Sequence, residues 1–239
     1  MVILYLVLFL TVIASGSLIF IFQSDNPKIL KLMLAFSGSF LIGISFLKLV
    51  PEVFCSGVRF AGLFVMFGYL IQLVLELITE GVEHGHSHVH REDEKASPFI
   101  LLIGLCIHAF LEGTPIASGV DPDVRRSLVI GIIVHNVPIS VALMGLLIHY
   151  GCSKYKALLY LTVFAVMTPV GSITSNLIPF TSAVSMQHFF TYIMAIVIGI
   201  FLHVSTSILF EAEDNHKYNI QKFVVICLGI AVVAGLAIL

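Results

Sequence analysis

Long apolar runs alternate with short polar segments along the whole chain. Each run is close to the roughly 20 apolar residues that an α-helix needs to cross a bilayer core. Because backbone polar groups must be satisfied inside lipid, we expect each run to be a helix. A strand barrel would show alternating segments of about ten residues instead. The pattern predicts an all-α polytopic membrane protein with eight transmembrane helices. The runs are residues 2–22, 29–50, 58–80, 98–119, 126–149, 157–178, 187–210 and 221–239.

The composition agrees with this class and argues against others. Hydrophobic residues make up 59% of the chain and charged residues 11%, against roughly 45–50% and about 25% in soluble domains. Residues 1–239 are therefore expected to form a single transmembrane domain. A net charge of −2 argues against a nucleic-acid partner. The four cysteines are scattered without a CxxC pair and predict no disulfide framework. The first run is too long for the apolar part of a signal peptide, so we expect a retained span.

The basic residues predict the orientation of the chain. Cytosolic loops of membrane proteins are enriched in Lys and Arg. With the N-terminus outside, the inner loops carry Lys28, Lys31, Arg91, Lys95, Lys154, Lys156, Lys217 and Lys222, and the outer side carries Lys48, Arg59, Arg125 and Arg126. Both termini are therefore expected outside the cell. The membrane is expected to be a cell membrane, either a plasma membrane or a bacterial inner membrane.

Two polar side chains interrupt the fourth run. His108 and Glu112 are four residues apart, so a helix places both on one face. Polar groups at membrane depth are costly and commonly mark an ion or substrate path. Imidazole and carboxylate groups suit zinc, iron or manganese. The alternative is a structural pair that joins two helices. Pro115 has no amide hydrogen, so the Leu111 carbonyl is expected to lose its helical partner beside Glu112.

The fifth run repeats this arrangement. His135 and Asn136 precede Pro138, which is expected to release the Val134 carbonyl. Proline-broken polar segments in neighbouring helices are typical of a transporter site near the middle of the membrane. The alternative is a kinked helix with a buried polar cluster. The fourth and fifth runs together are expected to build a divalent-metal site.

Polar residues in the other runs have simpler interpretations. Thr174, Ser175 and Asn176 close the sixth run, and hydroxyl groups in helices often bond to their own backbone. His203 in the seventh run is expected to form a hydrogen bond between helices. Glu76 ends the third run and is expected at the cytosolic interface.

A histidine-rich segment, residues 81–97, connects the third and fourth runs. Its alternating histidines are His84, His86, His88 and His90. Such tracts favour loose, exchangeable metal binding. The segment is otherwise a polar connector, and its expected role is that of a cytosolic metal acceptor or sensor.

The ordered motifs resemble those of the ZIP (Zrt/Irt-like protein) family of divalent-metal transporters. The fourth run reads HAFLEGTPIASG where the family has HSFFEGLALG, the fifth reads HNVPIS where it has HKxPEG, and the second reads FLKLVPEV where it has FLHLLPEA. Residues 169–171 and 199–213 are similar to the family's sixth and seventh helices. The resemblance implies eight helices in two bundles, outside termini, a cytosolic His-rich loop and a homodimer. The transport-site ligands that it implies are His108, Glu112, His135 and Asn136.

Several positions depart from the family pattern. Ala109 replaces Asn or Ser, Ile139 replaces the fifth-helix Glu, and Ser140 replaces Gly. Thr168 occupies a position that is sometimes acidic, and Lys48 one that is often His. The missing Glu bridges two metals in family members that bind two, so its loss argues against a second ion. One site remains chemically complete, because three ligands and a water satisfy a zinc shell of the catalytic type.

The expected function is transport of a divalent cation, Zn²⁺ ahead of Fe²⁺ or Mn²⁺, towards the cytosol. The ion is the transported substrate, and neither a cofactor nor an enzymatic reaction is expected. One alternative is a ZIP-like membrane protein that senses metal without transporting it, which Ile139 motivates. Another is an intramembrane metalloprotease, which the lack of an HExxH motif disfavours.

Overall fold

The computed structural model describes residues 1–22, 27–79, 98–117, 119–210 and 220–238. These residues form helices with turns between some of them, and none of the described residues lies in a strand. The predicted all-α class is confirmed. The histidine-rich segment 81–97 lies outside the described residues. The prediction of one transmembrane domain over residues 1–239 stays a prediction.

The helices follow the predicted apolar runs. They are α1 (Val2–Ser17), α2 (Ile19–Phe22), α3 (Pro27–Ile44), α4 (Val50–Cys55), α5 (Ala61–Thr79), α6 (Pro98–Gly113), α7 (Pro122–His149), α8 (Lys154–Asn176), α9 (Ala183–Phe210) and α10 (Ile220–Ile238). A π-helical turn, Ser45–Leu49, joins α3 to α4, so the second run is one continuous helical unit. The short helix α2 follows α1 after a turn at Leu18.

Five helical units are long and apolar enough to cross a membrane. They are Lys28–Cys55, Ala61–Ile78, Pro122–His149, Lys154–Asn176 and Ala183–Leu209. Three shorter apolar helices complete the eight predicted spans in the described part of the chain: Val2–Ser17, Pro98–Gly113 and Ile220–Leu236.

The helices group into two bundles. In the first bundle, α8 packs against α1, α6 and α7, and α1 packs against α7; α3, α5, α9 and α10 form the second bundle. The bundles meet where α3 packs against α7 and where α5 packs against α6. The two-bundle architecture implied by the family resemblance is therefore present.

Close helix contacts hold each bundle together. Lipid is as apolar as a leucine side chain, so membrane helices associate through tight packing rather than through the hydrophobic effect. In the first bundle, a Cβ atom at Gly113 or Gly171 would collide with a backbone carbonyl of the opposite helix, α8 or α6. In the second bundle, Gly68 and Gly199 make the same reciprocal contact between α5 and α9. These glycines set how closely α6 approaches α8 and how closely α5 approaches α9.

Helix α6 ends earlier than the sequence predicts. It stops at Gly113, and the chain leaves the helix before Pro115. The Leu111 carbonyl accepts hydrogen bonds from the Thr114 amide at 3.2 Å and from Thr114 Oγ1 at 2.6 Å. The Leu111 carbonyl lacks the helical partner that Pro115 cannot supply, as expected, but it is not free, because Thr114 caps the helix end.

Helix α7 differs from its prediction in the opposite way. It continues through Pro138 without interruption, so the expected proline break in the fifth span is wrong. Tight packing on both sides supports a helix that has lost one internal hydrogen bond. Helix α8 likewise continues through Pro169.

The segment that follows α6 is held by polar side chains of α8. Ser172 Oγ donates to the Ile116 carbonyl, and Asn176 Nδ2 donates to the same oxygen at 3.1 Å. Ser175 Oγ donates to the Thr114 carbonyl at 2.6 Å. Ser175 and Asn176 thus form the expected hydrogen bonds to their own helix backbone and, in addition, bonds to the segment that follows α6. These bonds satisfy backbone carbonyls of a non-helical segment in which Pro115, Ile116 and Ala117 are buried.

Candidate metal centre

Three buried side chains that could each bind a metal ion converge, two from α6 and one from α7. His108 and Glu112 lie one turn apart on α6, and His135 lies near the middle of α7. All three are fully buried. His108 Nε2 lies 3.0 Å from Glu112 Oε1, and His135 Nε2 lies 3.8 Å from the same oxygen. One donor atom from each residue lies within 4.8 Å of the other two.

Most of these donor atoms lack a hydrogen-bond partner among the described residues. This holds for both oxygens of Glu112 and for both ring nitrogens of His135. The short contact between His108 and Glu112 does not have the angles of a hydrogen bond. A buried polar group without a partner costs about 1–3 kcal/mol, and a charged group costs more. A cation among the three side chains would satisfy their lone pairs together.

The spacing of the donors fits a small divalent cation. Zinc binds nitrogen and carboxylate oxygen at about 2.0–2.2 Å, which places tetrahedral ligand atoms about 3.3 Å apart. The observed separations of 3.0 and 3.8 Å lie on either side of this value. Three protein ligands leave one coordination position open, as in zinc sites that exchange a bound group.

The local sequence explains how the donors meet. The four-residue spacing on α6 places His108 and Glu112 on one face. Gly113 allows α6 to approach α8 closely. Helix α7 begins at a defined point, because Asp121 Oδ1 accepts hydrogen bonds from the Asp123 amide at 2.9 Å and the Val124 amide at 3.2 Å. Such an N-cap fixes where the helix starts, and hence the depth of His135.

Asn136, the fourth predicted ligand, is buried next to His135 in the sequence. It follows His135 directly on α7, so its side chain leaves the helix about 100° away. It is 2% exposed, and its Oδ1 has no hydrogen-bond partner in the described part of the chain. An amide oxygen in this position suits a cation or its bound water.

A fourth buried polar residue contacts the donors and was not predicted. Gln72 of α5 is fully buried, and its Oε1 lies 2.8 Å from His108 Nδ1. The contact crosses from the second bundle to the first. A sequence signal existed, because Gln72 and Glu76 are four residues apart in an otherwise apolar helix.

A second polar contact lies within the second bundle. Glu76 Oε2 of α5 is 3.3 Å from His203 Nε2 of α9, and the Tyr69 ring packs edge-on against the imidazole at a centroid distance of 4.6 Å. His203 therefore makes the expected contact between helices. Glu76 is more than the interfacial group that the sequence predicts, because its side chain is only 28% exposed and faces α9.

The face of α7 beyond His135 is apolar. Ile139 lies one turn after His135 and is fully buried. It belongs to the apolar core of the first bundle, together with Ala109 and Leu143. Thr168 is also buried, on the part of α8 that approaches Gly113. Positions 109 and 139 thus carry hydrocarbon, and position 168 carries a neutral hydroxyl.

The sequence also singled out the loop histidines and Lys48. His84, His86, His88 and His90 lie outside the described residues. Lys48 lies in the π-helical turn, where it is half-buried. Such turns occur often near functional sites.

Two bundles of apolar helices with a buried His and Glu cluster are the fold and the candidate site of an integral membrane protein. A family profile described as ZIP zinc transporter matches residues 83–237. That is more than half of the chain, and the chain therefore belongs to the ZIP family.

Individual relatives match over different parts. Protein zntD of Dictyostelium discoideum is 32% identical over 173 residues, which cover 65% of this chain and 25% of zntD. Zinc transporter ZIP9 of Xenopus tropicalis is 26% identical over 127 residues, covering 49% of this chain and 40% of ZIP9. Zinc transporter zipt-7.1 of Caenorhabditis briggsae is 21% identical over an alignment of 279 residues, which covers 87% of this chain and 71% of zipt-7.1. The chain thus spans less than half the length of zntD and ZIP9.

Proposed function

We propose that this protein transports a divalent metal cation across a cell membrane towards the cytosol, with Zn²⁺ as its principal substrate. The observation that carries the proposal is the convergence of His108, Glu112 and His135 inside apolar helices. Membership of the ZIP family and the zinc-transporter names of two relatives support it.

The donor chemistry supports zinc over harder cations. Two neutral imidazoles and one carboxylate suit zinc, whereas magnesium and calcium prefer sites made of oxygen ligands. Fe²⁺ and Mn²⁺ accept similar ligands but bind more weakly in a given site of this kind. We assign Asn136 as the fourth group, which holds the ion directly or through its bound water. Because Glu112 is the one carboxylate in this ligand set, the ligands carry a single negative charge. This small charge favours release of the cation.

The centre is proposed to hold one ion. A second ion would need further ligands beside His135 and Glu112. The nearest candidate positions are Ala109 and Ile139, which pack in the apolar core. Removing a cation from water requires ligands to replace its hydration shell, and hydrocarbon supplies none.

The remaining parts of the proposal concern the setting of the centre. The excess of Lys and Arg in the inner loops supports outside termini and a cytosolic position for residues 81–97. His84, His86, His88 and His90 then receive the released ion as a loose acceptor. The ZIP family resemblance supports a homodimer.

Uptake into proteoliposomes tests the transport proposal. Purified protein would be reconstituted, and uptake of Zn²⁺, Fe²⁺ and Mn²⁺ would be compared for the wild type and for His108→Ala. Ser37→Ala serves as the matched control, because Ser37 is buried in α3 and bonds only to its own helix in the described contacts, at 2.9 Å from the Leu34 carbonyl. Saturable Zn²⁺ uptake that His108→Ala loses and Ser37→Ala keeps is the expected result. Equal uptake by His108→Ala and the wild type would contradict it.

The burial of Ile139 favours a second candidate function, a ZIP-like sensor that binds metal without moving it. A family carboxylate is replaced there by a side chain packed in hydrocarbon. The same liposomes separate the two functions. Zinc binding by the wild type without uptake, together with uptake by Ile139→Glu, would establish the sensor.

A further inference from the structure

Gln72 contacts His108, a proposed metal ligand, from the opposite bundle. Its Oε1 lies 2.8 Å from His108 Nδ1, and both side chains are fully buried. Gln72 belongs to α5, which packs mainly against α9, whereas His108 belongs to α6, which packs mainly against α8. The contact therefore joins the two bundles at the candidate metal centre itself.

The chemistry of imidazole gives this contact a consequence. A neutral imidazole carries its proton on one nitrogen and a lone pair on the other. When the Gln72 oxygen accepts a hydrogen bond from the Nδ1–H group, the proton stays on Nδ1 and the lone pair is on Nε2. Nε2 is the atom that lies 3.0 Å from Glu112 and faces the converged donors. Outer hydrogen bonds of this kind fix the tautomer and ring orientation of metal-binding histidines.

We propose that Gln72 is a positioning residue for the transported ion, which selects the His108 tautomer with its proton on Nδ1. It holds the ring with Nε2 towards Glu112 and His135 before the ion arrives. This inference rests on the proposed transport site. It adds an outer partner, on a helix of the second bundle, to a ligand set that lies entirely in the first.

A second polar residue on the same face of α5 also contacts a buried histidine. Glu76 follows Gln72 by one turn and contacts His203 of α9 at 3.3 Å. Gln72 and Glu76 thus each face one buried histidine, and they do so from one face of an otherwise apolar helix. A polar amide buried in a membrane helix is costly unless it is paired, and its pairing with His108 repays that cost.

Zinc affinity of purified full-length protein tests the proposal. Serine would replace His84, His86, His88 and His90 in every variant, so that the loop does not bind the probe. Gln72→Met keeps the length of the side chain but removes the acceptor oxygen, whereas Gln72→Glu keeps an acceptor. Competition with a fluorescent zinc chelator is expected to show affinity about 10–100-fold weaker in Gln72→Met and within a few-fold of wild type in Gln72→Glu. Ser37→Ala serves again as the buried control.

A packing role would give a different pattern. Equal losses in Gln72→Met and Gln72→Glu, or no loss in Gln72→Met, would overturn the proposal. The ¹⁵N chemical shifts of the His108 ring in zinc-free wild-type protein provide a test that does not depend on folding of a variant. A proton on Nδ1 is expected, and a proton on Nε2 would overturn the proposal.

The two proposals fail in distinguishable ways. If the wild type binds zinc no more tightly than His108→Ala, the proposed transport site is wrong. If zinc binding depends on His108 but Gln72→Met has the same affinity as the wild type, only the positioning role of Gln72 is wrong.

Discussion

Ile139 lies one helical turn beyond His135 on the same helix, yet the two buried side chains have opposite surroundings. His135 lies 3.8 Å from the Glu112 carboxylate, whereas Ile139 packs among Ala109, Leu143 and their apolar neighbours. The boundary between the candidate metal centre and the apolar core of the first bundle therefore runs along one face of α7. A side chain at position 139 that carries a donor group would meet the same cation as His135.

We expect Ile139→Glu to bind zinc more tightly than the wild type, by about tenfold or more. The added carboxylate raises the negative charge beside His135, while Ala109 and Thr168 still offer no set of ligands for another ion. Metal analysis of protein without the loop histidines should therefore give one zinc per chain in both proteins. Ile139→Gln is the matched control, because it has a similar length and no charge. Two zinc ions per wild-type chain would contradict the single-ion proposal.

We expect His108→Ala to lose zinc affinity by roughly 100-fold or more, beyond the loss that follows removal of an outer partner. The substitution removes one of three converged ligands and leaves the buried Glu112 with fewer partners. Zinc competition and a thermal melt measured with and without zinc check this expectation. The wild type should melt at a higher temperature with zinc, because a ligand that binds the folded state stabilises it. A similar zinc-dependent rise in His108→Ala would place the ion elsewhere.

We expect Gly113→Ala to destabilise the protein by about 1–3 kcal/mol, the usual cost of overpacking. A Cβ atom at Gly113 would collide with the backbone carbonyl of Thr168, which cannot move aside as a flexible side chain can. The melting temperature in detergent should fall, and zinc uptake should fall with it because α6 carries two ligands. Gly62→Ala is the control, since a Cβ atom there meets nothing within 4 Å. Equal melting temperatures for the two variants would show that α6 and α8 are less closely packed.

We expect Ser172→Ala to loosen the segment that follows α6. The substitution leaves the Ile116 carbonyl with the Asn176 amide as its described partner. Loss of a net hydrogen bond of about 1 kcal/mol should speed amide exchange of Ile116 and Ala117 by about fivefold. Hydrogen exchange with mass spectrometry measures this change. Thr174→Val, which removes a bond within α8 only, should leave exchange there as in the wild type.

The sequence by itself determined the number and type of the membrane helices. Lipid offers backbone groups no hydrogen bonds, so apolar runs of this length have to be helical. The sequence also determined that His108 and Glu112 share one face, because their spacing matches one helical turn. His135 and Asn136 stand out in the sequence as polar residues inside an apolar run, and the family motifs include the same two positions.

Only the tertiary structure decided which helices meet. Almost every face of a membrane helix is apolar, so periodicity does not identify the face that contacts a neighbour. The contacts of Gln72 with His108 and of Glu76 with His203 join residues far apart in sequence. The contact of Glu76 with His203 lies between α5 and α9, which Gly68 and Gly199 allow to approach closely. Local rules likewise overestimated the effect of Pro138, because a packed helix tolerates the loss of one internal hydrogen bond.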